Sequence, residues 1–510
     1  MAEQVADDIT ADEVASVREQ KATLKRQEAE QAPAGVDAPR QSLYADRVKV
    51  YPRQVRGTFR RLKWAALGIL LAIYYLVPWI RWDRGPGAPD QAVLIDMPAR
   101  RAYFFFIEIW PQEVYYLTGL LILASIGLFF VTSLAGRVWC GYACPQTVWT
   151  DLFMWVERLI EGDRNARMRL DRQPLSAGKV ARKAAKHGVW LLIALVTGGA
   201  WIMYFKDAPT LVRELATLEA SQTVWLFIGL FTATTYLLAG WAREQVCTYM
   251  CPWPRFQAAM FDEDTLIVTY QRWRGEPRGK LKKGENDDWS QRGDCIDCKA
   301  CVAVCPTGID IRDGQQLECI NCALCIDACN DVMARIGRPP NLIAYDTEAN
   351  QIAAEQGKPK PRYKLLRVRT LFYALLLVGV SAIMLGQLLF RDTLDINVLH
   401  ERNPLFVTLS NGDIRNGYTV KLLNKTREPR AFVLTFEGIP GATMEVLGQQ
   451  AGGQRVPLVA EPDSVATYDI QVRAPRSEVT EPSRPVTFTL TDPSRGETVV
   501  YDSVFRGPER

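Results

Sequence analysis

Eight cysteines fall into two groups with the same spacing. Cys295, Cys298, Cys301 and Cys305 form a C-x2-C-x2-C-x3-C run before Pro306, and Cys319, Cys322, Cys325 and Cys329 repeat it. In such runs three thiolates bind one iron–sulfur cubane, and the fourth reaches the other cubane. We therefore expect two [4Fe–4S] clusters. The first is held by Cys295, Cys298, Cys301 and Cys329, and the second by Cys305, Cys319, Cys322 and Cys325.

Other interpretations of these cysteines are weaker. Structural zinc typically uses separated C-x2-C pairs. A disulfide framework suits small secreted chains, whereas all twelve cysteines of this 510-residue chain lie before residue 330. Asn330 stands where the repeated pattern usually has proline. We expect a looser turn there, with no ligand lost.

A second cysteine pattern also occurs twice. Cys140-Gly-Tyr-Ala-Cys144-Pro and Cys247-Thr-Tyr-Met-Cys251-Pro both read C-x-Y-x-C-P. Residues four apart share a helix face, and proline disfavours helical geometry at the residue before it. Cys144 and Cys251 are therefore predicted to mark helix ends or kinks. Four such thiols favour soft ions, namely Cu(I), zinc or iron–sulfur iron; the alternative is cysteines that only pack between helices. One site and two sites both remain open.

Five apolar runs are long enough to cross a bilayer core, which takes about 20 helical residues. They span approximately residues 64–82, 114–134, 189–205, 224–241 and 371–390, and each C-x-Y-x-C-P element falls at the end of a run. Residues 103–110 are apolar but too short to span. We expect an interfacial or re-entrant segment there.

The distribution of Lys and Arg predicts the orientation of the spans, because cytoplasmic loops are enriched in both. Residues 53–63, 158–186 and 358–369 are rich in basic residues, whereas residues 206–223 contain only Lys206 and Arg213. This balance places the N-terminus and all twelve cysteines on the cytoplasmic side. Five spans then place the C-terminus outside. No signal-peptide pattern is found in residues 1–63.

The last part of the chain has a different character and contains no cysteine. Short alternating segments occur at 406–409, 418–423, 431–436, 443–447, 466–472, 486–490 and 498–504, with turn residues between them. Short strands at this spacing indicate an immunoglobulin-like sandwich. Such a domain more often docks partners than catalyses, and no catalytic residue is identified.

Charge and histidine content argue against two classes of function. The net charge of +4 is too small to indicate nucleic-acid binding. His187 and His400 are the only histidines, and neither lies in the middle of a predicted span. A membrane b-type haem, which commonly uses histidine ligands, is therefore disfavoured.

Five spans, two C-x-Y-x-C-P elements, a doubled ferredoxin motif and an exported β-domain occur together in one known family. From about residue 45 onward the chain resembles the FixG/RdxA/CcoG family of cytochrome c oxidase accessory proteins. The resemblance implies a role in assembling the copper-containing cbb3-type oxidase in a bacterial inner membrane. It also implies reduction of Cu(II) to Cu(I) during copper delivery, with oxidase subunits or copper-delivery proteins as partners and an unknown cytoplasmic electron donor.

The expected organisation is a multidomain membrane protein. Residues 1–45 form a disordered cytoplasmic tail, and residues 46–256 carry four transmembrane helices with both C-x-Y-x-C-P elements. Residues 257–368 form a cytoplasmic ferredoxin-like two-cluster domain. Residues 369–391 form the fifth helix of the transmembrane bundle, and residues 392–510 form a periplasmic all-β sandwich of the immunoglobulin-like type.

Three functions remain open at this stage. The first is a metal reductase that passes electrons to copper held by Cys140, Cys144, Cys247 and Cys251. The second is an electron conduit that serves a quinone or flavin partner. The third is a non-redox scaffold whose exported sandwich holds oxidase subunits.

Overall fold

The computed structural model describes residues 49–85, 88–280, 289, 292–359, 363–390, 394–426, 428–449, 452–462 and 464–508. The tail predicted for residues 1–45 lies outside the described residues. The described chain forms two compact units. The first is drawn from Met1–Pro111 and Leu128–Arg367, and the second from Gln112–Gly127 and Val368–Arg510.

The α-helices are distributed over both units, and most of them lie in the first. In chain order the α-helices are α1 (Thr58–Leu76), α2 (Tyr115–Ala135), α3 (Val138–Tyr142), α4 (Pro145–Glu161), α5 (Arg164–Arg172), α6 (Ala177–Ile202), α7 (Ala208–Ala216), α8 (Gln222–Thr235), α9 (Trp253–Ala258), α10 (Arg272–Gly275), α11 (Ala300–Val304), α12 (Leu324–Arg335), α13 (Glu348–Glu355) and α14 (Val368–Leu389). Two π-helical segments, Tyr236–Ala242 and Val246–Met250, follow α8.

All five predicted spans are helical. Among the described residues, five helical segments are long and apolar enough to cross a membrane: Thr58–Trp79, Pro111–Ala135, Ala177–Ile202, Gln222–Ala242 and Val368–Leu389. The third begins well before the predicted residue 189. Ser176 accepts a hydrogen bond from the main chain of Lys179 and starts the helix in a basic stretch. A hydropathy pattern does not detect this polar extension.

A three-stranded antiparallel sheet lies between α1 and α2 in the chain, with β1 (Val93–Asp96), β2 (Arg101–Phe104) and β3 (Ile107–Ile109) in that order. Residues 103–110 therefore form most of a β-hairpin, and the expectation of an interfacial or re-entrant segment stays a prediction. The turn is made by Phe105, whose φ of 53° is left-handed. Tyr103 is buried in the sheet.

The eight closely spaced cysteines lie between two strands that pair with each other. Strand β4 (Ile267–Tyr270) is antiparallel to β5 (Ile343–Asp346), with Ile267 opposite Asp346. The apolar core beneath them includes Val268, Ile326 and Met333, together with Cys295, Cys301 and Cys329. The two strands thus close both ends of the cysteine-bearing segment around a single core.

The first span is held against this segment by a carboxylate. Asp327, on α12 between Cys325 and Cys329, accepts hydrogen bonds from the main-chain nitrogens of Phe59 (3.2 Å) and Arg60 (2.8 Å) in the first turn of α1. These nitrogens have no partner within their own helix, and a carboxylate is favoured at a helix N-terminus. The first turn of α1 therefore docks on the helix that carries two of the cysteines.

The second unit contains two antiparallel sheets. Their strands are β6 (Leu394–His400), β7 (Val407–Thr408), β8 (Ile414–Asn424), β9 (Arg430–Glu437), β10 (Thr443–Val446), β11 (Gly452–Gly453), β12 (Arg455–Ala460), β13 (Ser464–Ala474), β14 (Ser483–Thr491) and β15 (Thr498–Arg506). One sheet has the order β11-β10-β13-β8-β6, with β7 also on β8, and the other has the order β12-β9-β14-β15.

Each of the seven predicted alternating segments overlaps a strand of this unit. Alternate side chains of both sheets, such as Tyr418, Leu434, Ile470 and Phe488, form one buried core. Strands β6, β11 and β12 were not predicted. Strand β12 contains Pro457, and it is an edge strand, where proline is tolerated.

Candidate iron–sulfur and thiol sites

The two ferredoxin-like loops share an uncommon backbone conformation. Asp297 and Lys299 in the first loop have φ values of 50° and 54°, and Asn321 and Ala323 in the second have 52° and 59°. These residues stand two and four positions after Cys295 and Cys319. Left-handed geometry is uncommon outside glycine, and strained residues cluster at functional sites. The two loops therefore repeat each other in backbone conformation as well as in cysteine spacing.

A helix follows each strained loop and carries the later cysteines. Helix α11 begins one residue after Lys299, contains Cys301 and ends at Val304, one residue before Cys305. Helix α12 begins one residue after Ala323 and contains Cys325 and Cys329.

The looser turn expected at Asn330 is wrong. Helix α12 continues through Asn330 to Arg335, because asparagine keeps the main-chain N–H that proline lacks. The Asn330 side chain accepts a hydrogen bond from the main chain of Asn341 at 2.7 Å.

Thiols from distant parts of the two motifs are neighbours. The pKa of Cys329 is raised to about 12, mainly by burial and in smaller part by three other thiols: Cys301, Cys298 and Cys295. The pKa of Cys319 is likewise raised to about 12, mainly by burial and in smaller part by Cys322 and Cys305. The fourth cysteine of each motif thus lies near the first cysteines of the other motif: Cys329 near the first motif, and Cys305 near the second.

A cavity lies among the thiols of Cys305, Cys319, Cys322 and Cys325. Its volume is about 20 Å³, and Cys301 and apolar side chains such as Ile309 and Leu324 complete its wall. Among the described residues, no group of three or more His, Cys, Asp or Glu side chains is arranged to hold a single metal ion. A [4Fe–4S] cluster, whose thiolate ligands lie farther apart than the ligands of a single ion, remains what the eight-cysteine pattern predicts.

Buried arginine accompanies the first set of thiols. Arg312 is 7% exposed, donates to Asp297 at 2.7 Å and places Nη1 4.0 Å from Sγ of Cys295. Cys298 is the exposed thiol of this set. A fixed cation beside a group of thiolates compensates negative charge. The motif pattern did not predict Arg312, because basic residues are common on loops.

The two C-x-Y-x-C-P elements have the same local geometry. The main-chain nitrogen of Cys144 donates to the oxygen of Trp139 (2.9 Å), and that of Cys251 donates to Val246 (2.8 Å); both bonds span five residues. Cys144 and Cys251 are themselves extended, and a new helix begins at Pro145 in the first element and at Trp253 in the second. The predicted helix ends are therefore confirmed.

All four of these thiols lie in one neighbourhood. The pKa of Cys247 is raised to about 12, mainly by burial and in smaller part by three other thiols: Cys144, Cys140 and Cys251. Each of the four is half-buried. The two elements therefore converge, although no three of the thiols are poised around a single ion.

The first C-x-Y-x-C-P element packs directly on the second ferredoxin-like loop. A Cβ atom on Gly141 would lie 2.7 Å from the main-chain oxygen of Ile320 and 3.1 Å from Cα of Cys322. The hydroxyl of Tyr142 donates to the main-chain oxygen of Cys322 at 3.2 Å. Glycine is thus required at position 141 for this close approach.

A hydrogen-bonded path also joins the two sites. The Cys140 thiol donates to Oε1 of Gln257 (3.1 Å), and Nε of Arg137 donates to the same oxygen (3.3 Å). Nη1 of Arg137 donates to the main-chain oxygen of Cys319 at 2.9 Å. Gln257 and Arg137 are buried. Arg137 therefore lies between the convergent thiols and the second ferredoxin-like loop.

Three regions of the chain match known protein families. Residues 117–162 match a "4Fe-4S binding domain", residues 242–348 match a "4Fe-4S dicluster domain", and residues 384–508 match the "IG-like fold at C-terminal of FixG". The first region contains only Cys140 and Cys144 of the twelve cysteines. Iron–sulfur binding domains and an Ig-like C-terminal domain are therefore present in this chain.

Curated relatives are similar over nearly the whole chain. Nitrogen fixation protein FixG of Rhizobium meliloti is 52% identical and covers 96% of this chain and 98% of its own length. Protein RdxB of Cereibacter sphaeroides is 50% identical, with 92% and 98% covered. A solved FixG-related protein from Vibrio parahaemolyticus is 24% identical, with a TM-score of 0.19 over 22% of this chain and 96% of that one. The chain belongs to the FixG/RdxA family of iron–sulfur membrane proteins.

Proposed function

We propose that this chain is a membrane-bound electron-transfer protein that reduces Cu(II) to Cu(I) during assembly of a cbb3-type cytochrome c oxidase. The observation that carries the proposal is the packing of Gly141 and Tyr142 against Ile320 and Cys322. It puts a group of soft ligands beside a cysteine loop suited to a cluster.

Two sets of residues would hold the clusters. The first set is Cys295, Cys298, Cys301 and Cys329, and the second is Cys305, Cys319, Cys322 and Cys325. Each [4Fe–4S] cluster supplies, when bound, a carrier for one electron. The exposure of Cys298 makes the first set the side open to an electron donor, and the second set faces the convergent thiols.

Copper is the substrate in this proposal, bound by a pair of thiolates among Cys140, Cys144, Cys247 and Cys251. Burial raises the pKa of Cys140 and of Cys247, so each thiol releases its proton when a metal binds. One Cu(II) takes one electron from the reduced protein and becomes Cu(I). Thiolates favour the softer Cu(I), which makes the reduction easier at this site than in water.

We also propose a location for the protein and the partners that receive its product. The loop charges support an inner-membrane chain with the cysteines in the cytoplasm and the Ig-like domain in the periplasm. Oxidase subunits or copper-delivery proteins would receive the Cu(I).

A second candidate ligand for the four convergent thiols is iron–sulfur iron. The match of residues 117–162 to a 4Fe-4S binding domain favours it, because Cys140 and Cys144 are the only cysteines there. In that case the protein would be an electron conduit rather than a copper reductase.

Anaerobic purification with iron and acid-labile sulfide counting tests the proposal. Two cubanes give about eight irons per chain, and a chain with alanine at positions 140, 144, 247 and 251 should retain all of them. About twelve irons in the wild type and eight in that variant would replace the copper site by a third cluster. Two zinc ions without sulfide would remove the clusters altogether. Bound flavin would favour the conduit.

A further inference from the structure

A basic groove opens beside the first turns of α1. It has a volume of about 750 Å³, and its walls include Arg56, Arg60, Arg61 and Trp64 from α1 and the residues before it, and Trp155 and Arg158 from α4. The volume lies within the range of ligand pockets. None of the described residues that line the groove is acidic.

Positive charge is in excess here. Asp151, behind the groove, is shared by three cations: Arg60 at 2.9 Å, Arg158 at 3.8 Å and Lys63 at 4.0 Å. The nearby Asp163 accepts a hydrogen bond from the main chain of Gln54. Arg56 and Arg61 are exposed and form no ion pair with any residue that the structure describes. With Asp327, which accepts from the main-chain nitrogens of Phe59 and Arg60, five cations thus face three carboxylates.

Two further features show that this excess is not relieved within the chain. Nη2 of Arg60 is buried and has no hydrogen-bond partner among the described residues. The pKa of Arg158 is lowered, first by burial and then by the charges of Arg60 and Arg167, against the opposing effect of Asp151. Both observations indicate an arginine cluster that lacks an anion.

The surroundings of the groove are apolar and aromatic. Trp64 and Trp155 meet edge to face with ring centres 6.2 Å apart, and the guanidinium of Arg60 lies 4.5 Å from the ring of Trp64. Leu62 is 54% exposed and Leu159 is 72% exposed. Tryptophan beside basic residues at the start of a candidate span is typical of a membrane interface.

We propose that this groove binds the phosphate headgroup of an anionic phospholipid. The arginines supply donors for the phosphate oxygens, and the exposed leucine and tryptophan side chains accept the upper part of the acyl chains. Basic pockets at the cytoplasmic ends of membrane helices bind such headgroups. A free phosphate ion would satisfy the arginines but would leave the apolar rim without a partner.

The groove adjoins the contact between α1 and the cysteine-bearing helix. Arg60, which lines the groove, also donates its main-chain N–H to Asp327 on α12. A bound headgroup would therefore stabilise the turn of α1 on which α12 docks. This connection makes the lipid a structural cofactor of the cysteine-bearing unit.

Lipid titration of the full-length protein tests this proposal. Native mass spectrometry in a zwitterionic detergent would measure binding of added phosphatidylglycerol, with phosphatidylcholine as the reference lipid. The double variant Arg56→Gln, Arg61→Gln should weaken phosphatidylglycerol binding by about fivefold for each arginine removed. These side chains are exposed, so the substitutions leave the core unchanged. The double variant Arg56→Lys, Arg61→Lys should retain most of the binding.

A matched control removes the same charge elsewhere. Arg169 and Arg172 are also exposed and do not line the groove, so Arg169→Gln, Arg172→Gln should bind phosphatidylglycerol as the wild type does. Equal loss in both Gln variants, or loss in neither, would overturn the proposal. Binding of inorganic phosphate at millimolar concentration, with no binding of phosphatidylglycerol, would also overturn the proposal in favour of a free-anion site.

Discussion

Arg137 and Cys319 are joined by a hydrogen bond of 2.9 Å from Nη1 of the arginine to the main-chain oxygen of the cysteine. Residues of two different motifs thereby meet, since Arg137 stands three residues before Cys140 and Cys319 opens the second ferredoxin-like group. The same guanidinium lowers the pKa of Cys140, against the larger effect of burial. Arg137 therefore places one fixed positive charge near both sites.

Replacing Arg137 with methionine should make the second cluster harder to reduce. Reduction adds negative charge, and a nearby fixed cation stabilises it. We expect the midpoint potential of that cluster to fall by about 60 mV, which for one electron corresponds to about 1.4 kcal/mol. A redox titration followed by electron paramagnetic resonance measures this shift.

Two further variants separate charge from packing at this position. Arg137→Lys keeps the charge and should recover much of the potential. Arg243 is also buried, but it pairs with Glu157 at 2.9 Å, so Arg243→Met should leave the potential unchanged. An unaltered potential in Arg137→Met would show that the guanidinium only fixes the loop.

Gly141→Ala should disturb the contact between the two sites. The added Cβ would meet main-chain atoms of Ile320 and Cys322, which cannot move aside as a flexible side chain can. Overpacking of this kind costs about 1–3 kcal/mol. We expect a lower Tm, measured in detergent, and slower electron transfer from reduced clusters to Cu(II).

Gly199 provides the matched control for that substitution. A Cβ on Gly199 would meet nothing within 4 Å, and the residue lies inside helix α6. Gly199→Ala should keep the Tm or raise it, because alanine is favoured over glycine in helices. Equal behaviour of the two variants would contradict the close packing at Gly141.

Reporter fusions test the orientation inferred from the loop charges. A reporter that requires an oxidising compartment should be active when fused after residue 400 and inactive when fused near residue 270. The excess of Lys and Arg in residues 53–63, 158–186 and 358–369 is the physical reason. Activity at residue 270 would place the cysteines in the wrong compartment and invert the orientation.

The membrane spans and most strands were predictable because each of them depends on a local sequence pattern. The long apolar runs and the alternating segments depend only on neighbouring residues, and the proline of each C-x-Y-x-C-P element predicted the helix end. The looser turn predicted at Asn330 was wrong, because a missing proline does not end a helix, and helix α12 continues through this residue. Strand β12 was not predictable, because the edge position that tolerates Pro457 depends on the pairing of distant strands.

The buried cations were not predictable from the sequence. Arg137 contacts Gln257 and Cys319, which are 120 and 182 residues away in the chain. Lys63 and Asp151 are also brought together from distant helices. Such contacts exist only once the helices have packed, and no motif marks them.

The central claim is that reduced clusters pass electrons to copper at the convergent thiols. The most direct test adds Cu(II) anaerobically to dithionite-reduced protein, freed of excess dithionite, and measures Cu(I) with a specific chelator. Wild type and the control Met250→Leu, which keeps all twelve cysteines, should form about one Cu(I) per reduced cluster, since each cluster gives one electron.

The variant Cys140→Ala, Cys144→Ala, Cys247→Ala, Cys251→Ala should keep its iron, its sulfide and its membrane insertion. Its rate of Cu(I) formation should fall at least about tenfold, because the soft ligands that hold copper beside the second cysteine loop are gone. Unchanged copper binding and an unchanged rate in this variant would contradict the account and leave the clusters themselves as the direct reductant.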